Sequence, residues 1–149
     1  MILGFKNKFT PLIIKGTKIH TIREDKPNRW KEGNKIHFAI GIRTKNYCQF
    51  KEGVCKGTQK IDIIHKSNVI TVKIDGKLLG EAWKDKEGTI VCYTGLRLER
   101  INDTELKASS DYILHDLVAN DGFITVQDFF KWFNKDFTGK IIHWTDLKY

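Results

Sequence analysis

The sequence predicts an α+β fold, a mixed β-barrel with peripheral helices in a single domain, and three observations carry that prediction. Apolar residues alternate with a period of two in several short segments between positions 35 and 98, as half-buried strands require. The dipeptide Asp75-Gly76 stands between two of those segments and supplies the turn that folds one onto the other. Helical spacing of apolar residues is confined to a short segment near the start and to the last third.

The elements follow in chain order. Thr10-Pro11-Leu12-Ile13-Ile14-Lys15 predicts a short helix. Thr10 can cap it, Pro11 suits a first turn where its missing N–H costs nothing, and Gly16 can stop it in a left-handed conformation. Ile19 to Glu24 then alternates. An extended chain there sends Thr21 and Arg23 to one face and His20 and Ile22 to the other, with Lys18 in the turn at the strand's mouth. After the turn at Glu32-Gly33-Asn34, Lys35 to Ile40 reads as a strand, and Lys60 to His65 and Val69 to Ile74 share its period. Gly41 to Gly57 reads as loop, part of an inserted loop and hairpin region around 41–95. Both central residues of a type I′ turn need positive φ, so Asp75-Gly76 predicts that Val69 to Ile74 folds back onto Leu78 to Trp83. Two further candidate strands lie at Gly88 to Tyr93 and around Leu96, Leu98 and Ile101.

The last third reads as helical. Ser110 is placed to cap Asp111 to Asn120, where Ile113, Leu114, Leu117 and Val118 share one face and Gly122 ends the run. Thr125-Val126-Gln127-Asp128 resembles a capping box, and it opens a second helix carrying Phe129, Phe130, Trp132 and Phe133. Aromatics at that spacing are core residues. Ile141 to Thr145 closes the chain as a strand.

Composition narrows the function classes. With two prolines, no low-complexity run and no internal repeat, the 149 residues predict one globular domain. The opening Met-Ile-Leu-Gly-Phe-Lys lacks a basic segment followed by a long apolar stretch, and no apolar run reaches membrane-spanning length. A cytoplasmic location without membrane association is expected. Cys48, Cys55 and Cys92 are odd in number and lack a Cys-x-x-Cys spacing, which points to reduced thiols rather than a disulfide framework or zinc site. The five histidines show no ligand spacing, so neither a metal nor another cofactor is expected.

Charge is unevenly spread over the net +8. Residues 1–66 hold 15 Lys/Arg and 5 Asp/Glu, whereas residues 67–149 hold 11 and 13. A concentration of cations in one half is the footprint of a phosphate-bearing partner, because Lys and Arg displace condensed counterions from a nucleic-acid backbone. Within the basic half, Gly16-Thr17-Lys18-Ile19-His20-Thr21-Ile22-Arg23-Glu24 gathers a hydroxyl, a guanidinium and an ammonium near the end of one strand. That set can grip an anionic or nucleotide-like ligand. Trp30 follows on the approach to the next strand, where it could pack against the short first helix or stack on a base. Arg43, Lys45, Tyr47 and Phe50 interleave basic and aromatic side chains as single-strand binders do.

Phe9, the apolar Leu12-Ile13-Ile14, Gly16-x-Lys18-x-x-Thr21-Ile22-Arg23 and Trp30-x-x-Gly33 together resemble the N-terminal signature of ASCH-domain proteins, a branch of the PUA-like superfamily. A later segment, Ala119-Asn120-Asp121-Gly122-Phe123 followed by a helix and a terminal strand, is similar to the family's later pattern. The resemblance covers Met1 to Phe38 and Ile101 to Tyr149 and implies a PUA-like barrel. It also implies a chemistry. The ASCH branch that deacetylates N4-acetylcytidine uses a lysine, a threonine and a glutamate, which fall by motif position on Lys18, Thr21 and Asp121. A threonine hydroxyl needs a base, and a desolvated lysine beside cationic Arg23 could serve, with an acid protonating the departing amine. Asp121 is one methylene shorter than the family's glutamate.

Three readings of function follow. The first is an RNA- or nucleotide-binding module that holds RNA, single-stranded nucleic acid or a nucleoside, with Lys18, Thr21, Arg23, Trp30, Arg43 and Lys45 as ligand-binding residues. The second is an amidohydrolase acting on an acylated nucleoside such as N4-acetylcytidine through Lys18, Thr21 and Asp121. The third is a protein-interaction domain whose basic face meets an acidic partner.

Overall fold

The computed structural model describes residues 1–94, 97–100, 106–109 and 113–149. Its strands are β1 (Ile2–Gly4), β2 (His20–Arg23), β3 (Lys35–Ile40), β4 (Cys48–Val54), β5 (Gly57–Lys66), β6 (Val69–Ile74), β7 (Lys77–Lys84), β8 (Ile90–Thr94), β9 (Arg97–Arg100), β10 (Leu106–Ser109) and β11 (Phe137–His143). Its helices are α1 (Thr10–Lys15), α2 (Ile113–Asn120) and α3 (Val126–Trp132). Parallel and antiparallel strands with short helices make this an α+β fold. Two compact units divide the chain: Met1–Gln59 with Asn120–Gly122 and Gly139–Lys148, and Lys60–Ala119 with Phe123–Thr138 and Tyr149.

In the first unit β1 runs parallel to β3, from Ile2↔His37 to Gly4↔Ala39, and β4 pairs antiparallel on the other side of β3. Phe38 on β3 is the packing centre. Phe5 stacks on it at 5.9 Å, Trp144 meets it edge-on at 4.9 Å and Phe50 approaches at 6.3 Å. The expected loop Gly41 to Gly57 therefore contains a seven-residue strand. β4 is an edge strand with no buried residue; the alternation of Cys48, Gln49, Phe50 and Lys51 breaks at Glu52-Gly53, which leaves too short a run for periodicity to detect. β2 pairs antiparallel with the end of β11, from His20↔His143 to Arg23↔Lys140. Asp25 closes the segment after β2, accepting from the N–H groups of Arg29 and Trp30 and from Lys140 Nζ.

α1 ends as expected. Gly16 adopts φ 78°, and the N–H of Thr17 reaches back to the Leu12 carbonyl. Its start differs from expectation: a 3-10 turn, Asn7–Phe9, runs straight into the helix, so Phe9 is the cap and Thr10 is already helical.

In the second unit β5, β6, β7 and β8 lie side by side, each antiparallel to the next. Asp75 and Gly76 take φ values of 50° and 80°, the positive pair that a type I′ turn demands. Ile61 and Ile63 of β5 and Ile70, Val72 and Ile74 of β6 alternate into the core. Leu114, Leu117 and Val118 of α2 and Val126, Phe129 and Phe130 of α3 are also buried. Thr125 caps α3 by accepting from the Asp128 N–H at 3.0 Å. β9 and β10 pair antiparallel. Ser110 and Asp111, expected at the start of α2, and Leu96 and Ile101, expected in a strand, lie outside the described residues.

The terminal strand spans Phe137–His143 rather than Ile141 to Thr145. Thr138 donates to Asp62 at 2.7 Å in the second unit, and Trp144 leaves the strand to pack on Phe38 in the first. Among the described residues no helix is long and apolar enough to cross a membrane.

Candidate functional site

Two turns build the site, the one that ends α1 and the segment Asn120–Gly122 that follows the body of α2, both in the first unit. At the end of α1 the left-handed Gly16 turns the chain so that the N–H groups of Thr17 and Lys18 both bond the Leu12 carbonyl, at 2.9 and 3.1 Å. At the end of α2, Gly122 takes φ 84° and the Phe123 N–H returns to the Val118 carbonyl at 3.1 Å, a Schellman-type stop. The Ile19 N–H donates to the Asn120 carbonyl at 3.0 Å and holds the two turns side by side. Lys18 and Asp121, 103 residues apart, meet there.

Lys18 Nζ donates to Asp121 Oδ1 at 2.7 Å and to the Asp121 main-chain carbonyl. Both residues are buried, Lys18 to 2 % exposure. The ammonium lies 4.9 Å from the centroid of Phe9, a cation–π distance. Gly122 is required twice over: its φ is left-handed, and a Cβ there would sit 3.0 Å from Lys18 Cδ and 3.1 Å from the Phe9 ring. A carboxylate beside a helix C-terminus opposes the macrodipole, and the lysine answers both charges at once.

Burial pushes Lys18 below the ordinary lysine range, against the pull of Asp121, and cationic Arg23 adds to the fall. For Asp121, burial acts upward, but Lys18 and His20 outweigh it and hold the carboxyl below the usual range. His20 places Nδ1 3.6 Å from Asp121 Oδ1. Loss of water lowers its pKa, and lowers that of the fully buried His143 to about 3. The two imidazoles meet edge to face at 5.5 Å. Sequence reasoning treated both histidines as ordinary. The register His20↔His143 brings them together, and register has no signature in a single sequence.

The remaining expected residues are spread over the unit. Thr21 is 4 % exposed and pairs with Ile142. His20, Thr21 and Ile22 of β2 are all buried, and Arg23 is half-buried at its end. Arg23 donates through Nη2 to the Gly4 carbonyl, and its guanidinium stands 5.2 Å from the Phe5 centroid. Arg23 Nε is buried with no hydrogen-bond partner among the described residues. Trp30 is 5 % exposed, so its ring is core and not an open stacking surface. Arg43 and Lys45 are exposed in the turn between β3 and β4. A groove of about 260 Å³ lined by Lys35, Ile36, His37, Glu52, Gly53 and Val54 lies on that hairpin and includes none of the expected site residues. Among the described residues no group of three His, Cys, Asp or Glu is arranged to hold a metal.

No family model matches the chain, and neither a curated protein nor a solved structure matches it.

Proposed function

We propose that the chain is an RNA- or nucleotide-binding module of the ASCH type, PUA-like in fold, that holds its ligand on the first unit. The observation that carries this reading is the surface charge of that unit. Eleven of its Lys and Arg residues are exposed (Lys6, Lys8, Lys26 and Arg29 among them), against four exposed carboxylates, Glu24, Glu32, Glu52 and Asp146. So one-sided a surface attracts a polyanion and releases its counterions on contact. Arg23 supports it: its guanidinium is a fixed cation in that unit, and its Nε meets no acceptor among the described residues.

Titration of a labelled single-stranded RNA at several salt concentrations tests it. The expected result is binding whose logarithm falls linearly with the logarithm of salt. Absence of binding at low salt, or affinity indifferent to salt, overturns it.

A second reading, amidohydrolysis of N4-acetylcytidine, draws on the direct contact of Lys18 with Asp121. In that chemistry the Lys18 ammonium first passes a proton to the Asp121 carboxylate across their 2.7 Å contact, and Thr21 Oγ then attacks the acetyl carbonyl and gives its proton to the neutral amine. The C–N bond breaks, cytidine leaves with a proton from the carboxyl group, and water releases acetate from the threonine ester. Lys18 and Thr21 are both buried, so a nucleoside reaches them only when their cover moves, and the exposed basic surface favours the binding reading. Release of cytidine that is abolished in Thr21→Ala would establish the hydrolase.

A further inference from the structure

Resting on the reading of the first unit as an RNA-binding surface, we propose that the turn joining β3 to β4, residues 41–47, is a preformed clamp for an unpaired nucleotide of single-stranded RNA. Tyr47 supplies the platform on which a base stacks, and Arg43 and Lys45 take the flanking phosphates.

The turn is built rather than loose. The Thr44 N–H and hydroxyl both donate to the Gly41 carbonyl, at 3.0 and 2.8 Å. The Asn46 N–H donates to Thr44 Oγ1 at 3.1 Å, and the Tyr47 N–H reaches the Thr44 carbonyl at 3.2 Å. Gly41 has φ 62°, and a Cβ there would lie 2.4 Å from the Asn46 carbonyl oxygen, so the closure depends on glycine. Ile42 anchors the turn to β1, since a Cβ on Gly4 would meet Ile42 Cδ1 at 2.5 Å. The carbonyl of that same Gly4 receives the Arg23 guanidinium. Arg23 and the turn thus meet at one residue.

Two features of the turn point outward to a ligand. The first is Arg43, which adopts φ 63°. The other described non-glycine residues with positive φ are Asn28, Ser67 and Asp75, small polar residues that turns accommodate; Arg43 alone is long and charged. Left-handed backbone at a bulky residue is strain that glycine would relieve, and such strain collects at ligand clamps. The second is composition: no acid occurs between Gly41 and Lys51, and Arg43, Lys45 and Tyr47 are all exposed, the tyrosine to 46 %. Cations beside an open aromatic ring fit a strand whose bases are free to stack, not a duplex whose ring faces are already covered.

Binding of a single-stranded RNA carrying 2-aminopurine, and of the same sequence as a duplex, tests the clamp in wild type, Tyr47→Ala, Tyr47→Phe and Arg43→Gly. Tyr47→Ala is expected to weaken single-strand binding about tenfold and to abolish the quenching of 2-aminopurine, with the salt slope kept; Tyr47→Phe keeps both. Arg43→Gly is expected to reduce the salt slope by about 0.7 while Tm stays at or above the wild-type value, since the strain goes with the contact. Wild-type affinity and quenching in Tyr47→Ala, with salt-dependent binding intact, overturns the clamp and leaves the general reading standing. A lowered Tm in Arg43→Gly with an unchanged slope marks a purely structural arginine and overturns its role. Loss of all binding in wild type removes both the clamp and the reading beneath it.

Discussion

At the scale of single residues, the site is a set of ionisable groups held where water cannot reach them. Burying a lysine and an aspartate costs several kcal/mol each unless each satisfies the other, and here the 2.7 Å contact, the helix-end carbonyl and the Phe9 face all serve the ammonium. The histidines have a different consequence. In the unfolded chain His143 titrates near 6.5, whereas in the fold it binds a proton only near pH 3. Between those values the unfolded chain holds more protons, so stability is complete above about pH 6.5 and declines as pH falls towards 3. His20, also lowered, adds to the decline, and Asp121 extends it below the ordinary carboxylate range. Each group contributes a slope of up to about 1.4 kcal/mol per pH unit in its window. Denaturant unfolding from pH 7 to 4 is expected to show stability falling already between 6.5 and 5, and His143→Phe to flatten that fall. A wild-type curve level down to pH 4.5 would count against buried, neutral imidazoles.

Among secondary-structure elements, legibility followed the strength of local chemistry. The β6–β7 hairpin was readable because Asp75-Gly76 dictates a turn and the strand before it alternates, and α3 was readable because Thr125 and Asp128 close its first turn. β1 and β4 were not readable. Three residues are too few for a period, and an edge strand written in Gln, Lys and Glu resembles a loop until Phe38 is seen to recruit Phe50. The meeting of Lys18 with Asp121 was anticipated only through the order of motif segments, since contact across 103 residues is set by how two helix ends pack. Those two ends should differ in tolerance. Gly16→Ala meets nothing within 4 Å and suffers only its positive φ, a cost of about 1 kcal/mol. Gly122→Ala adds a Cβ 3.0 Å from Lys18 Cδ, so its loss in denaturant stability is expected to exceed that of Gly16→Ala by at least 1 kcal/mol, in the range of overpacked cores. Equal losses would mean that Lys18 yields freely.

Over the whole molecule, charge divides along the same line as the contacts. The first unit carries 15 Lys/Arg against 6 Asp/Glu and the second 11 against 12, so the net +8 belongs almost entirely to one of two compact bodies. The sequence displayed the imbalance between its halves but could not assign it, because Asn120–Gly122 and Gly139–Lys148 join the first unit from the far end of the chain. If RNA meets the basic unit, the salt dependence of binding resides there. Lys31, Lys35 and Lys56 are exposed in the first unit, and Lys66, Lys77 and Lys86 are exposed in the second. Replacing either trio with Gln removes the same formal charge. For single-stranded RNA the first trio is expected to lower the slope of log K against log salt by about 2 if each lysine meets a phosphate, at roughly 0.7 per contact, while the second trio changes it by less than about 0.5. Equal changes in the two variants would make the attraction a property of net charge alone, and a larger change from the second trio would move the binding surface to the other unit.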